Sequence, residues 1–221
     1  MFQTLQQSNS NITEEGIKQA LDIISTKEYG NKALEILNVI SYLAPKNIHT
    51  EMFLSLVSNE RKLGAAIKLL KEYSVVNSSG KETSLNVNSL VQKIIRKSLE
   101  KQKKEGEVLK KALMLLCKDS INSSNLDHAI STWDHVSEYR GELVQEFSDL
   151  PNTIVSTLDN VGRHRESYLF AKRQCDLLKY SLGVDHIDTL KMRNNMALML
   201  SNCGKYQESL DIFQEVYKKL K

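Results

Sequence analysis

The sequence predicts a mainly α-helical protein, with helices and one β-hairpin in the N-terminal half and an α-solenoid of stacked helical hairpins after it. Only two prolines occur in 221 residues, and few helix breakers over that length favour long helices. Apolar side chains recur at spacings of three and four along most of the chain, which is the period of a helix face. A ten-residue segment near the C-terminus repeats an earlier one 42 positions away, which is typical of helical repeat arrays.

The first part of the chain is predicted to contain three helices before any strand. Residues 1–28 include the polar run QQSNSN and are predicted to form a flexible tail, or a single helix through EEGIKQALDII. A helix then runs to the APKN segment, a short helix covers about 50–57, and a third helix follows. The apolar faces of the first and third helices consist of Leu34, Leu37, Ile40 and Leu43, and of Leu63, Ile67 and Leu70.

The hydrophobic period changes after the third helix. YSVVN is rich in β-forming residues, SSGK has turn chemistry, and TSLNVNS alternates polar and apolar residues, so a β-hairpin is predicted. A helical face resumes at Val91, Ile94 and Ile95. Three helices, a hairpin and a further helix resemble a winged-helix unit, which we place at residues 29–103.

A helical hairpin with no clear sequence repeat is predicted over residues 110–139, at the start of a helical repeat domain placed at 104–221. The segment INSSN supplies turn chemistry and a helix cap between its two helices. A short helix is expected at 141–147. The two apolar faces consist of Leu109, Ala112, Leu113 and Leu116, and of Leu126, Ala129, Ile130, Trp133 and Val136.

The internal repeat relates LDNVGRHRES (158–167) to LSNCGKYQES (200–209). Five of the ten positions are identical, including the turn glycines Gly162 and Gly204. Apolar residues on either side of each glycine follow a helical period, so each copy is predicted to be two antiparallel helices. The clear repeats are placed at 148–181 and 190–221. Hairpins of this kind cannot bury their apolar faces alone and therefore stack on one another.

These segments resemble the tetratricopeptide repeat of the kinesin-light-chain type. The turn GKY, with Ser209 and Phe213 after it, matches the repeat pattern, and LGVDHIDT is similar to the family's linker LGxxHPDT. RNNMALML is similar to the family's LNNLALLY. Ile187 stands where the family has proline, and Ser209 where it has alanine. The resemblance implies that the first helices of the repeats line a surface that holds an extended or helical peptide.

The earlier part of the chain resembles the winged-helix segment that follows the nucleotide-binding core of NB-ARC/STAND proteins. ALEILNVISYLAPKNIHTEMF, AIKLLKEYSVVN and VNSLVQKIIRKSL occur in that family's order over about 29–100. The family's HRLVQ appears here as NSLVQ, with Asn88 at the histidine position. The chain has no GxxxxGK[ST] phosphate loop, so the family's nucleotide switch cannot operate from this chain. Either the switch was lost, or this is the C-terminal part of a larger ancestor.

Composition excludes several functional classes. A net charge of +3 is too small to indicate nucleic acid or an anionic membrane as an obligate partner. The basic run between Lys93 and Lys111 is interrupted by glutamates and contains no aromatic residue, which favours a solvated helix surface over a nucleic-acid site. No apolar run is long enough for a membrane helix, and the start of the chain lacks a signal-peptide segment. We therefore expect a cytoplasmic protein without a membrane partner.

No catalytic or metal-binding pattern is present. The three cysteines are far apart and form no CxxC pair, so neither a disulfide framework nor a zinc site is indicated. His128 and His135 lie seven apart, and no third ligand is evident beside them. No motif places a nucleophile beside a base. We therefore expect neither an enzyme nor a bound cofactor or metal.

The repeats offer the better candidate site, which is a peptide-binding groove along their first helices. Asparagine suits it because its side chain both donates and accepts hydrogen bonds. The predicted function is a non-catalytic adaptor that binds a protein segment, with self-association through the open end of the array left open. The alternatives are a regulatory remnant of a STAND ATPase that docks onto a nucleotide-binding partner, and a winged-helix DNA-binding regulator. The predicted groove residues are Asn152, Thr153, Ser156, Asn160, Lys191, Asn194, Asn195, Leu198 and Asn202.

Overall fold

The computed structural model describes residues 13–57, 59–79, 81–118, 120–139 and 142–220. The fold class is confirmed in its coarse form, since the described part of the chain is mainly helical with one small sheet. The chain divides into two units. Among the described residues, the first comprises 13–41 and 45–102, and the second comprises 42–44 and 103–220.

The first unit contains five α-helices, a short 3₁₀ helix and three strands within its described residues. Its core is formed by apolar side chains such as Ile36, Phe53 and Leu70, which have no exposed surface. Its elements are α1 (Glu14–Ser25), α2 (Gly30–Ile40), β1 (Ile48–His49), the 3₁₀ helix (Thr50–Phe53), α3 (Leu54–Val57), α4 (Glu60–Glu72), β2 (Val76–Ser79), β3 (Lys81–Val87) and α5 (Ser89–Lys101).

The three strands form one antiparallel sheet in the order β1-β3-β2. The β2–β3 pair is the hairpin that the alternating segment TSLNVNS predicts, with Val76 opposite Val87. Strand β1 is an addition to the prediction and pairs Ile48 with Leu85, both fully buried. Two residues are too few for a period of two to be visible in the sequence, which is why β1 was not expected.

Helix α1 packs against α2 at the start of the first unit. The part of the chain predicted as a tail or a single helix is thus a helix from Glu14 onward, with Ile17 and Ile24 buried. The rest of the predicted tail lies outside the described residues. Gly30 allows the close approach of the two helices, because a Cβ atom there would lie 2.0 Å from the carbonyl oxygen of Ile24.

Helix α5 closes the first unit by bonding to the end of α2. The buried Gln92 Nε2 donates a hydrogen bond to the carbonyl oxygen of Ile40 at 2.9 Å, and Arg96 donates to that of Ser41. Both carbonyls lie at the C-terminus of α2, where the helix offers them no partner of its own. Asn88 caps the start of α5, because its Oδ1 accepts from the backbone N–H of Leu90 at 2.8 Å. Asn88 is therefore a helix cap in this structure.

The second unit consists of helical hairpins. The predicted hairpin over 110–139 is the pair α6–α7, and α8 is the short helix expected next. Trp133 of α7 is fully buried, and its indole Nε1 donates to Gln174 Oε1 at 2.8 Å. The seven helices of its described residues are α6 (Glu105–Lys118), α7 (Leu126–Tyr139), α8 (Leu143–Glu146), α9 (Leu150–Asn160), α10 (His164–Leu182), α11 (Ile187–Asn202) and α12 (Tyr206–Leu220).

The two copies of the sequence repeat have the same local geometry. Gly162 and Gly204 both adopt φ +78°, the left-handed conformation that ends α9 and α11. The serines after these turns, Ser167 and Ser209, are buried, with 0% and 3% exposure. Each donates its hydroxyl to a carbonyl of the preceding helix, to Val155 at 3.0 Å and, 42 positions later, to Ala197 at 2.6 Å. Serine at this position thus adds a buried hydrogen bond within each hairpin.

Helix α11 begins earlier than the predicted repeat boundary at residue 190. Its first residue is Ile187, and His186 Nδ1 caps it by accepting from the backbone N–H of Asp188 at 3.2 Å. The end of the linker LGVDHIDT is therefore the first turn of a helix. Among the described residues, no helix has the length and apolar character needed to cross a membrane.

Candidate functional site

The predicted groove residues all lie on two neighbouring helices, α9 and α11, which pack against each other. Helix α9 carries four of them and α11 carries five. Seven of the nine are solvent-exposed. We call these seven the α9–α11 face: Thr153, Ser156 and Asn160 on α9, and Lys191, Asn194, Leu198 and Asn202 on α11.

Part of the α9–α11 face repeats with the period of the sequence. Ser156 and Leu198 are equivalent positions 42 residues apart, and so are Asn160 and Asn202. All four are exposed, with Leu198 at 44%. Equivalent exposed positions on neighbouring helices form rows that run from one repeat to the next. A segment lying across both helices would therefore meet an exposed asparagine on each of them, Asn160 and Asn202.

The two remaining predicted residues are used to hold the helices together. Asn152 is only 7% exposed, and its Nδ2 donates to the carbonyl oxygen of Asp188 at 3.4 Å. Its Oδ1 accepts from Nδ2 of the half-buried Asn195 at 3.0 Å. Because this amide pair joins α9 directly to α11, Asn152 positions Asn195, and neither side chain is fully available to a ligand.

Lys191 has two carboxylate partners. Its Nζ lies 3.1 Å from Asp149 Oδ1 and 3.1 Å from Asp188 Oδ1. Hydrogen bonds from the lysine to Asp149 and Asp188 raise the pKa of Lys191, so the ammonium stays charged. Since two carboxylates surround one ammonium, this part of the face does not present an unbalanced positive charge to a ligand.

Asp188 is the central residue of a polar network at the start of α11. Its Oδ2 accepts from Ser148 Oγ at 2.5 Å, and its other oxygen pairs with Lys191. Burial by itself would raise the pKa of Asp188, but the hydrogen bonds from Ser148 and Lys191 and the nearby positive charge outweigh burial and lower it. A carboxylate held this way stays ionised and fixes the start of α11 beside the start of α9.

Sequence reasoning did not select Asp149 and Asp188 for this site. The signal for Asp149 was present, because it is the equivalent of Lys191 one period earlier. Opposite charges at equivalent positions of consecutive repeats indicate an ion pair between adjacent helices. For Asp188 the only signal was its place in the linker, which resembled a loop more than a helix start.

Comparison with known proteins supports repeats of the tetratricopeptide kind. The chain is similar to human tetratricopeptide repeat protein 19, mitochondrial, with 29% identity over 84 residues. The matched segment is 38% of this chain and 21% of that protein, so the chain spans about a fifth of the relative's length. No protein-family model and no solved structure matches the chain. The similarity and the helical hairpins are both in keeping with tetratricopeptide-like helical repeats in this chain.

Proposed function

We propose that the second unit is a non-catalytic adaptor module that binds a protein segment on the α9–α11 face. The observation that carries this proposal is a set of exposed, mostly polar positions along two helices that are joined by the Asn152–Asn195 amide pair. Such a surface is formed before the ligand arrives, so little ordering cost falls on the protein side of the complex.

The chemistry of the face favours a neutral, extended segment. Asn160, Asn194 and Asn202 each offer an amide that can donate to and accept from a peptide backbone. The hydroxyl of Ser156 already donates to the carbonyl of Asn152 in its own helix at 3.1 Å, so it is left mainly as an acceptor. Leu198 adds an apolar contact at the centre. The face therefore suits a peptide held through its main chain, with one apolar side chain against Leu198.

An acidic peptide is disfavoured as the ligand. Lys191 is the only basic residue of the α9–α11 face, and both Asp149 and Asp188 bind it. A ligand carboxylate would have to displace these partners and would then meet their negative charge. We therefore expect binding to depend little on acidic residues in the partner.

The test is a comparative pull-down from cell lysate, read by mass spectrometry, with the double variant Asn160→Ala/Asn194→Ala as one bait. The matched control is Gln19→Ala/Gln145→Ala, which removes two exposed helical amides elsewhere. Circular dichroism first establishes that all baits are folded. We expect partners retained by wild type and control and lost with the site variant. Partners retained equally by all three baits would refute the placement of the ligand on this face.

The first unit is proposed to be a winged helix, and this supports a second candidate function. Its helices precede and follow a sheet in the order β1-β3-β2, in which the hairpin β2–β3 takes the place of the wing. Winged helices bind DNA through the helix before the wing, here α4. That helix exposes Arg61, Lys62 and Lys68, but also Glu60 and Glu72. We therefore rank DNA binding below protein binding.

DNA binding has a simple test. Fluorescence anisotropy with a labelled random duplex at low salt gives phosphate contacts their greatest strength. Binding that weakens steeply with added salt and with Arg61→Glu would support a DNA-binding regulator. Absence of binding at low salt would remove this candidate.

The family ancestry stays part of the proposal. The kinesin-light-chain subtype rests on the linker and LNNLALLY resemblances, and the STAND remnant on the order of segments over 29–100. If the chain is a STAND remnant, it would dock onto a separate nucleotide-binding protein. A cytoplasmic location is likewise proposed, from the sequence alone.

A further inference from the structure

The exposed side of α10 carries two large apolar side chains. Leu169 is 55% exposed and Tyr180 is 81% exposed. They lie eleven residues apart, which is close to three helical turns, so both project from the same side of the helix. The opposite side of α10, which includes Phe170 and Leu178, is buried. Single exposed apolar side chains are common on protein surfaces, so the charges beside this pair decide what the surface can bind.

Three basic residues border the apolar pair along one edge of α10. We call Arg165, Lys172 and Lys179 the basic row; all three are exposed, and they follow one another at intervals of seven residues. Because seven residues are nearly two turns, the row runs almost parallel to the helix axis, with about 10.5 Å between neighbouring positions. Around the helix it lies about 40° to 80° from Leu169. The basic row is therefore the immediate border of the apolar pair.

Within the described residues, the basic row has no ion-pair partner. Other arginines of this region do have partners in the second unit. Arg173 pairs with Asp134 of α7, and Arg163 pairs with Asp127 and Glu166. Three exposed cations without such partners are electrostatically complementary to an acidic ligand.

Most of this surface is specific to α10. Two of the three row positions, Arg165 and Lys172, correspond one period later to Gln207 and Gln214 of α12. Leu169 corresponds to Asp211. The second copy of the hairpin thus forms without these residues, so the hairpin does not need them for its own packing. They are better explained by contact with a partner.

The spacing of the basic row selects a helix as its occupant. A partner helix presents residues seven apart on one face at the same interval of about 10.5 Å. In an extended segment, side chains on one face recur every two residues, at about 6.7 Å and then about 13.4 Å, so an extended chain does not match the row. A helix with acidic residues at intervals of seven would face all three charges at once.

Asp176 limits which acidic partners can bind. It is exposed and lies between Leu169 and the basic row around the helix, about 20° from Leu169. A uniformly anionic partner, such as a phosphate backbone or an anionic membrane surface, would meet this carboxylate at the centre of the contact. A partner helix can instead place a lysine or arginine opposite Asp176 while its acidic residues face the row. The surface therefore favours a protein helix of mixed charge over nucleic acid or lipid.

We propose that the exposed side of α10 binds an amphipathic helix of a protein partner. Acidic residues of that helix, at intervals of seven, face the basic row, and its apolar residues contact Leu169 and Tyr180. A basic residue of the partner lies opposite Asp176. This surface is on a different helix from the α9–α11 face, and the proposal does not depend on what that face binds.

The test uses a library of helical peptides as the probe. An alanine-rich helix of about 20 residues is displayed on phage with the positions of one face randomised, and binders to the full chain are selected. The enriched peptides are expected to carry acidic residues seven apart beside apolar residues. The most enriched peptide is then synthesised with a fluorescent label, and its dissociation constant is measured by fluorescence anisotropy at about 0.15 M salt.

Charge reversal on the protein locates the bound peptide. Lys172→Glu/Lys179→Glu is expected to weaken binding by about tenfold, because two favourable ion pairs become like-charge contacts. A peptide whose acidic residues are replaced by lysine is expected to prefer this variant to wild type. The matched control Lys93→Glu/Lys218→Glu makes the same change of net charge at exposed positions of α5 and α12 and should leave binding unchanged. Circular dichroism checks that each variant is folded.

Three outcomes would overturn the proposal. Selection that enriches no helix, or only helices without acidic residues seven apart, would show that the basic row does not bind the proposed occupant. A selected peptide that binds Lys172→Glu/Lys179→Glu as well as wild type would place its site elsewhere. A labelled random duplex or phosphatidylserine vesicles that bind only when both lysines are present, while no helix does, would assign the row to phosphate groups instead.

Discussion

The buried serines after the repeat turns give the sharpest stability prediction. Ser167→Ala and Ser209→Ala each remove a hydroxyl that donates to a carbonyl of the preceding helix, at 3.0 Å and 2.6 Å. Alanine is also the residue that the tetratricopeptide pattern has at this position, so a resemblance to the family would suggest no loss or even a gain. The structure predicts the opposite.

The expected loss of stability depends on whether each substitution leaves a buried polar group without a hydrogen-bond partner. A net intramolecular hydrogen bond contributes about 1 kcal/mol. The acceptor carbonyl of Ala197 lies inside α11, where the helix's own hydrogen-bond ladder still satisfies it, so the larger cost of an orphaned buried group does not apply. We expect each substitution to lower the free energy of unfolding by about 1 kcal/mol. The double variant should lose about 2 kcal/mol if the two repeats contribute independently.

Urea unfolding followed by tryptophan fluorescence measures this loss, because Trp133 is the chain's one tryptophan and is fully buried in the second unit. The matched control is Ser156→Ala, which removes an exposed hydroxyl bonded to a carbonyl of its own helix. That variant should stay within about 0.5 kcal/mol of wild type. If Ser209→Ala were as stable as the control, the buried hydrogen bond would contribute nothing, and the stated role of serine would be refuted.

Three further predictions concern the core and the site. Gly30→Ala should destabilise the first unit by about 2 kcal/mol in urea unfolding followed by circular dichroism, since the added Cβ would lie 2.0 Å from the Ile24 carbonyl oxygen. Gln174→Leu leaves the buried indole N–H of Trp133 unpaired and should cost about 1 to 3 kcal/mol in the fluorescence assay. The pKa of Asp188 is lowered in the folded state, so the unfolded chain binds this proton more readily. The Asp188 carboxylate therefore contributes its full stabilisation at pH values above the ordinary carboxyl pKa, and that stabilisation is lost as the pH falls through the pKa of Asp188 in the folded state. In the variant Asp188→Asn the free energy of unfolding should therefore fall less steeply as the pH is lowered.

The parts of the fold that follow a period could be predicted from the sequence. The helices of the repeats, the glycine turns at Gly162 and Gly204 and the β2–β3 hairpin each follow from a repeated pattern or a change of pattern. Strand β1 could not be predicted, because it has two residues and is specified by pairing with the distant Leu85. The early start of α11 depends on His186 as a cap, and histidine is not among the preferred capping residues.

The candidate site shows a similar division between local pattern and distant contact. Period and polarity selected two helix faces, and seven of the nine selected residues are exposed on them. The same reasoning could not separate Asn194 from Asn195, since they are adjacent amides on one helix. Only the position of α9 decides that Asn195 bonds to Asn152 while Asn194 stays open to solvent.

That difference between two adjacent asparagines bears on how the proposed adaptor module could change partners. Asn152 and Asn195 bond within the protein, and so do Asp149 and Lys191, so substitutions there alter the fit of α9 against α11 before they alter ligand contacts. Within the described residues, no hydrogen bond between α9 and α11 involves the side chains of Asn160, Asn194, Leu198 or Asn202. If the α9–α11 face binds a ligand as proposed, specificity can vary at these exposed positions while the polar contacts between the helices keep the face in one shape. A repeat array in which some polar residues hold the helices together and others face a ligand can acquire a new ligand without losing its fold.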